Sequence, residues 1–156
     1  METLASGIVQ IRPVRSDDLG AIHELEETCF RDPFPSYFID QLAQANPETF
    51  LVAIDDSRIL AYAAVDNWSD HQHLVSIAVD SNSRRKGVAQ SLLNALFDRL
   101  KEGPLRLELR RSNEAALALY LKNGFHNIGV TYSYYTDGED AIQMEKWITK
   151  KDEILA

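Results

Sequence analysis

The chain has 156 residues, of which 45% are hydrophobic and 26% charged, and a formal net charge of −8 at pH 7. That length supports one domain with a proper buried core, and the composition is ordinary for a soluble globular protein. The overall acidity argues against nucleic-acid binding, and the single cysteine, Cys29, excludes an intramolecular disulfide or a multi-cysteine metal site.

Residues 1–7 read as a short loose tail with no basic leader and no long apolar run, and no later stretch approaches a membrane span; a soluble, cytoplasmic protein is expected. Ile8–Val14 alternates and predicts a first strand. Ser16 followed by Asp17 and Asp18 reads as a helix start, a capping residue with acids in the first turn. That helix should run to about Cys29, with Leu19, Ile22, Leu25 and Cys29 facing inward. Cys29 has no histidine beside it in the sequence and reads as a small buried hydrophobe rather than a nucleophile. Pro33 and Pro35 forbid a regular helix through Phe30–Ser36, and the aromatics there suit either ligand binding or packing onto the core.

A second helix is predicted over Tyr37–Ala45, and a hairpin from Thr49–Ile54 and Ile59–Asp66 around Asp55-Asp56-Ser57. Asn67–Gln72 is polar and loop-like. The histidines form no HExxH and no metal site is expected; His71 and His73 read as surface or internally satisfied residues.

Leu74–Val79 is an apolar strand, and Val88, Leu92, Leu93, Leu96, Phe97 and Leu100 recur at helical spacing until Gly103-Pro104 stops the helix. Between them Arg84, Arg85, Lys86 and Gly87 stand where a strand feeds a helix N-terminus. First-turn N–H groups lack intrahelical partners there and the dipole is positive, so three cations at that end call for an anion. Gly87, and nearly so Ala89, lets a ligand approach the backbone. The arrangement suits a pyrophosphate, whereas GxxxxGK[ST] and GxGxxG are both absent.

Leu105–Arg110 alternates, with Leu105, Leu107 and Leu109 on one face and Arg106, Glu108 and Arg110 on the other. Joined to Leu74–Val79 by a full helix, it should run parallel to that strand. Ser112-Asn113-Glu114 starts another helix, which ends at Asn123-Gly124. Phe125–Tyr135 and Ala141–Ile148 are the last predicted strands, joined by a turn through Thr136–Glu139; residues 151–156 form a charged tail. The order β-α-α-β-β-β-α-β-α-β-β predicts a single α/β domain over residues 1–150: a mixed, mostly antiparallel sheet with a central parallel strand pair, flanked by helices.

Arg84-x-x-Gly87-x-Ala89 resembles the coenzyme A signature [Q/R]-x-x-G-x-[G/A] of the GCN5-related N-acetyltransferase (GNAT) superfamily. LELRRSNEAALALYLKNGF (107–125) and YYTDGEDAIQM (134–144) are similar to segments of ribosomal-protein alanine N-acetyltransferases and of catalytic subunits of the N-terminal acetyltransferase A type. The predicted element order resembles that fold over nearly the whole chain. The first half matches only loosely, and substrate choice largely lives there.

The resemblance implies acetyl-CoA as cosubstrate and direct attack of a protein or peptide N-terminal α-amine, for instance that of a ribosomal protein, on the thioester. It admits an auxiliary subunit, while the acidity and the lack of a spanning stretch lead to the expectation of no nucleic-acid or membrane partner. It makes Glu108 the candidate base, where the bare sequence offers instead an ion pair with Arg106 or Arg110. Tyr120, otherwise a half-buried core tyrosine, becomes the candidate acid near the coenzyme sulfur. Backbone groups of Ile77, Ala78 and Val79 would hold the pantetheine arm, Arg84, Arg85, Lys86, Gly87, Val88 and Ala89 the pyrophosphate, and Asn113 would contact the coenzyme while capping its helix. Tyr134 and Tyr135 would line the peptide channel with Phe34 and Tyr37 opposite; unaided, the tyrosine pair is as readily packing, and the acidic run Asp137–Asp140 a solvated turn. A lysine or small-molecule acetyltransferase on the same fold, or a non-catalytic coenzyme A sensor or partner subunit, remains open at this point.

Overall fold

The computed structural model describes residues 9–150, which fall into two compact units. One is built from the chain up to Asp66 with Leu74–Arg99, the other from Asn67–His73 with the chain from Leu100 onward. The expected tail 1–7, the first residue of the expected opening strand (Ile8) and the tail 151–156 lie outside the described residues.

The first unit holds β1 (Gln10–Pro13), α1 (Leu19–Cys29), α2 (Ser36–Ala45), β2 (Phe50–Asp55), β3 (Arg58–Asn67), most of β4 (Gln72–Val79) and α3 (Val88–Arg99). Its strands lie in the order β1-β2-β3-β4, with β1–β2 and β2–β3 antiparallel. Asp56 and Ser57 both have positive φ, 50° and 76°, and turn the β2–β3 hairpin in two residues. The apolar faces of α1 and α2 close over the sheet through Ile22, Leu25, Ile39 and Leu42 against Phe50, Val52, Tyr62 and Ala64. Each fully buried aliphatic side chain there stabilises by about 1.5–3 kcal/mol.

The start of α1 differs from the expectation. Ser16–Asp18 forms a short 3-10 turn, and Asp18 rather than Ser16 organises it. The buried Asp18 carboxylate accepts the Arg15 N–H at 2.7 Å and the Arg12 guanidinium at 2.8 and 3.0 Å.

The second unit holds the first residues of β4, then β5 (Gly103–Arg110), α4 (Glu114–Lys122), β6 (His126–Thr131) and β7 (Ala141–Ile148), with strands in the order β4-β5-β7-β6. β4 and β5 are parallel, as the helical crossover requires, through Gln72↔Leu105 and His73↔Arg106; β5–β7 and β7–β6 are antiparallel. Leu105, Leu107 and Leu109 are buried as the alternation predicts. The α/β class, the element order and the parallel pair are those expected.

Three boundaries move. β4 starts at Gln72, two residues early, because Gln72 and His73 are buried polar residues with partners. Gly103-Pro104 opens β5 instead of ending α3, a position where a strand tolerates proline. The strand expected over Phe125–Tyr135 ends at Thr131, so Tyr134 and Tyr135 belong to a loop. At the end of α4, Phe125 N–H reaches Tyr120 O at 3.0 Å across Gly124 at φ 90°, a left-handed stop that glycine permits.

Candidate active site

Glu108 lies on the polar face of β5, where either neighbouring arginine could neutralise it. Neither does. Arg106 Nε donates to Glu145 Oε2 at 2.8 Å, and Arg110 Nη1 binds Asp137 Oδ2 at 3.0 Å and Glu139 Oε1 at 2.8 Å. Glu108 Oε1 instead accepts from His73 Nε2 at 2.8 Å. Its side chain keeps 21% of its surface exposed while that of His73 keeps 6%, so the carboxylate is held by a buried imidazole and still open to a reactant. Sequence reasoning passes over His73, reading it as a surface or internally satisfied histidine. The signal is there all the same: with β4 extended by two residues and paired in parallel with β5, His73 stands opposite Arg106 on the face that carries Glu108.

Tyr134 and Tyr135 flank this carboxylate from the loop after β6. Burial, and after it the negative charge of Glu108, raises both phenols, Tyr135 to about 12. They stay neutral at physiological pH and offer hydrogen bonds beside an apolar face. Tyr135 packs under the Arg110 guanidinium, 4.2 Å from its ring centre, and stands edge-on to Tyr134 at 5.0 Å. The acidic run is a clamp rather than a solvated turn. Glu139 Oε2 accepts the Ser112 N–H at 2.7 Å, Asp140 Oδ1 accepts that of Ser133 at 2.9 Å, and Asp140 Oδ2 lies 3.0 Å from Arg111 Nη1.

Tyr120 is 6% exposed on α4, edge-on to Phe125 at 5.4 Å. Burial pushes its phenol well above the usual tyrosine value and holds it in the protonated, hydrogen-bond-donating form. Asn113 caps α4 as expected, its Oδ1 accepting the Ala116 N–H at 3.1 Å.

In the first unit the basic loop joins β4 to α3. Arg84 is strapped back onto the strand end: its Nε donates to Val79 O at 3.0 Å and its Nη2 lies 3.5 Å from Cys29 Sγ. Arg85 and Lys86 are exposed and have no ion-pair or hydrogen-bond partner among the described residues. Arg85 at φ 64° and Gly87 at φ 80° both take left-handed conformations. Gly87 is thus needed for the shape of the backbone as well as for close approach. Val88 is buried and Ala89 half-buried, leaving their backbone N–H groups as what they present to an anion. Ile77, Ala78 and Val79 close β4 within the first unit, just before the basic loop, and their backbone amides are of the kind that pair with an extended amide-bearing ligand. Exposed cations, a left-handed glycine and a twelve-residue helix behind it fit a pyrophosphate coenzyme.

Phe34 and Tyr37 are exposed at 37% and 68%, and Phe34 rests on Phe38 at 4.8 Å. The Phe34 N–H is held at 2.9 Å by Glu26 Oε2, while Glu26 Oε1 accepts from the Tyr62 hydroxyl, itself 3.0 Å from Ser76 Oγ. Burial raises the Glu26 carboxyl above its ordinary range. An acid inside an amphipathic helix gives no sequence sign that it turns inward, and for that reason sequence reasoning misses Glu26.

A family model described as acetyltransferase (GNAT) family matches residues 19–125, which include parts of both units. An N-alpha-acetyltransferase of Saccharolobus solfataricus is 33% identical over 152 residues, covering 87% of this chain and 91% of that protein. The crystal structure of the ribosomal-protein-S18-alanine N-acetyltransferase from Escherichia coli matches with a TM-score of 0.79 at 30% identity, over 96% of this chain and 99% of that one. A structure of Arabidopsis thaliana Naa50 in complex with the bisubstrate analogue CoA-Ac-MVNAL shares the fold, with a TM-score of 0.79 at 20% identity over 88% of this chain and 97% of that one.

Proposed function

The chain belongs to the acetyltransferase (GNAT) family, and we infer that it moves the acetyl group of acetyl-CoA onto the N-terminal α-amine of a protein or peptide. The observation that carries this reading is Glu108, freed from both neighbouring arginines, fixed by His73 and partly open. The relatives named for N-terminal acetylation set the substrate class, and the amine chemistry agrees. An α-amine has a pKa of roughly 7.7–8.0 against about 10.4 for lysine, so at pH 7 about a tenth of it is already neutral, against less than a thousandth of lysine. One carboxylate suffices as the base for such an amine.

Acetyl-CoA, when bound, supplies an activated thioester. Arg85, Lys86 and the first N–H groups of α3 would hold its pyrophosphate, and the backbone of Ile77–Val79 its pantetheine arm. Glu108 would take the amine proton and Tyr120 would donate towards the departing sulfur. Tyr134, Tyr135, Phe34 and Tyr37 would contact the peptide. The test is thiol release from acetyl-CoA with peptides beginning Ser, Ala, Met, Glu or Met-Leu, a ribosomal-protein N-terminus among them, each beside an Nα-blocked copy containing lysine. Turnover that disappears on blocking is expected. Turnover retained on the blocked copies would move the assignment to lysine, and coenzyme binding with no turnover on any peptide would favour a small-molecule enzyme or a sensor.

A further inference from the structure

Glu108 is one end of a longer chain of hydrogen bonds that acyl transfer itself does not require. Glu108 Oε1 meets His73 Nε2 at 2.8 Å, His73 Nδ1 meets His71 Nε2 at 3.0 Å, and His71 Nδ1 meets Asp70 Oδ1 at 2.7 Å. Both imidazoles are buried, with 6% and 8% of their side-chain surface exposed, while Asp70 at the far end is 72% exposed. Asp70 and His71 also line an open hollow with Lys101 and Glu102, where water reaches them. Trp68 lies flat on His73, 4.0 Å between ring centres and 4° from parallel, and its backbone N–H donates to His71 O at 2.9 Å. The indole face covers this part of the chain.

The proton count of this chain is fixed by its ends. An ionised carboxylate only accepts, so once Glu108 has taken a proton and Asp70 is ionised, the three contacts hold three protons: one on Glu108, one on His73 Nδ1 and one on His71 Nδ1. Each ring then carries one proton and keeps its Nε2 open to accept. Each of the three protons sits in its own hydrogen bond and can cross it without any group leaving its place.

We propose that Asp70 and His71, acting through His73, are a proton exit that returns Glu108 to its basic form after each acetyl transfer. The proposal rests on reading Glu108 as the base. An α-ammonium loses two protons in becoming an amide nitrogen; one goes to the departing thiolate and the other must reach solvent. As that N–H bond breaks, an O–H bond forms on Glu108. The Glu108 proton then passes to His73 Nε2, the His73 Nδ1 proton to His71 Nε2 and the His71 Nδ1 proton to Asp70, which gives it to water. Reorientation of the two ring tautomers resets the chain. The other charged and titratable groups facing it are Arg106 of β5, paired with Glu145 of β7, at the Asp70 end, and Tyr134 and Tyr135 at the Glu108 end. Asp70 and His71 are positioning residues and touch no substrate.

The experiment compares Asp70→Asn and His71→Phe with the parent enzyme on an N-terminal peptide, across pH and across imidazole concentration in dilute buffer. The amide introduced by Asp70→Asn still accepts the hydrogen bond but cannot take the proton, and the exposure of this position keeps folding out of the comparison. His71→Phe keeps an aromatic ring in place and removes the wire. Both should lower kcat about tenfold at neutral pH, a fraction of what a positioned acid or base supplies. KM for acetyl-CoA should not move, and added imidazole should restore kcat. Parent-like kcat in both variants at the lowest buffer concentration, or a loss that imidazole does not restore, would overturn the exit. Glu108→Gln separates the two levels. If it is inactive while Asp70→Asn and His71→Phe behave as the parent, only the exit fails; if it turns over normally, the base assignment fails and takes the exit with it.

Discussion

Two loops of opposite sign treat their charges differently. In the acidic loop each carboxylate is engaged: Asp137 by Arg110, Glu139 by Arg110 and Ser112, Asp140 by Arg111 and Ser133. In the basic loop only Arg84 is tied down, and Arg85 and Lys86 have no partner among the described residues. Charge that is answered within the chain builds structure, here the platform for Tyr134 and Tyr135. Charge left unanswered at a helix N-terminus is available to a ligand.

The contrast breaks most severely at Gly87. Gly87→Glu forces a side chain onto a left-handed backbone and sets a negative charge beside the pyrophosphate, and should weaken coenzyme A binding about 10- to 100-fold by calorimetry. Unchanged affinity would remove the ligand role from this loop. Arg110→Ala releases Asp137 and Glu139 together and should raise the peptide KM severalfold and lower the thermal midpoint, while coenzyme affinity stays as it was. An effect on coenzyme affinity alone would reverse the roles given to the two loops. Arg85→Ala and Lys86→Ala should each cost about threefold in coenzyme affinity, less at high salt, and leave thermal stability alone.

The finest test is acid titration. Hydrogen bonds from Ser112 and Arg110 hold Glu139 below the usual carboxylate range. Its folded pKa is depressed, so its contribution is fully present above the unfolded value of about 4.3 and is lost as pH falls through the folded one. The thermal midpoints of the parent and Glu139→Gln should therefore differ at neutral pH and converge in acid. A gap that is constant across pH would mean that the charge of Glu139 does no work in the clamp.

The periodic parts of this molecule are legible in the sequence, because alternation and helical spacing are local. Leu105, Leu107 and Leu109 turn inward as read, and Asn113 caps its helix. The Tyr132–Tyr135 stretch has strand-like composition, yet Ser133 at φ 51° and the hydrogen bond from its N–H to Asp140, seven residues away, bend it into a loop. The arginines beside Glu108 look like its partners because β5 brings them to one face; their actual partners arrive from β7 and the acidic loop. The His73–Glu108 pair spans 35 residues and depends on a parallel register that no short window contains.

Glu26 has a consequence for how this family member can diversify. It grips the Phe30–Pro35 segment through the backbone N–H of Phe34, a group common to every residue except proline. The anchor is therefore blind to the side chain it positions. Position 34 can exchange one surface chemistry for another while the core beneath keeps its hydrogen bonds, so this exposed surface can change in evolution, or be redirected by design, without renegotiating the fold.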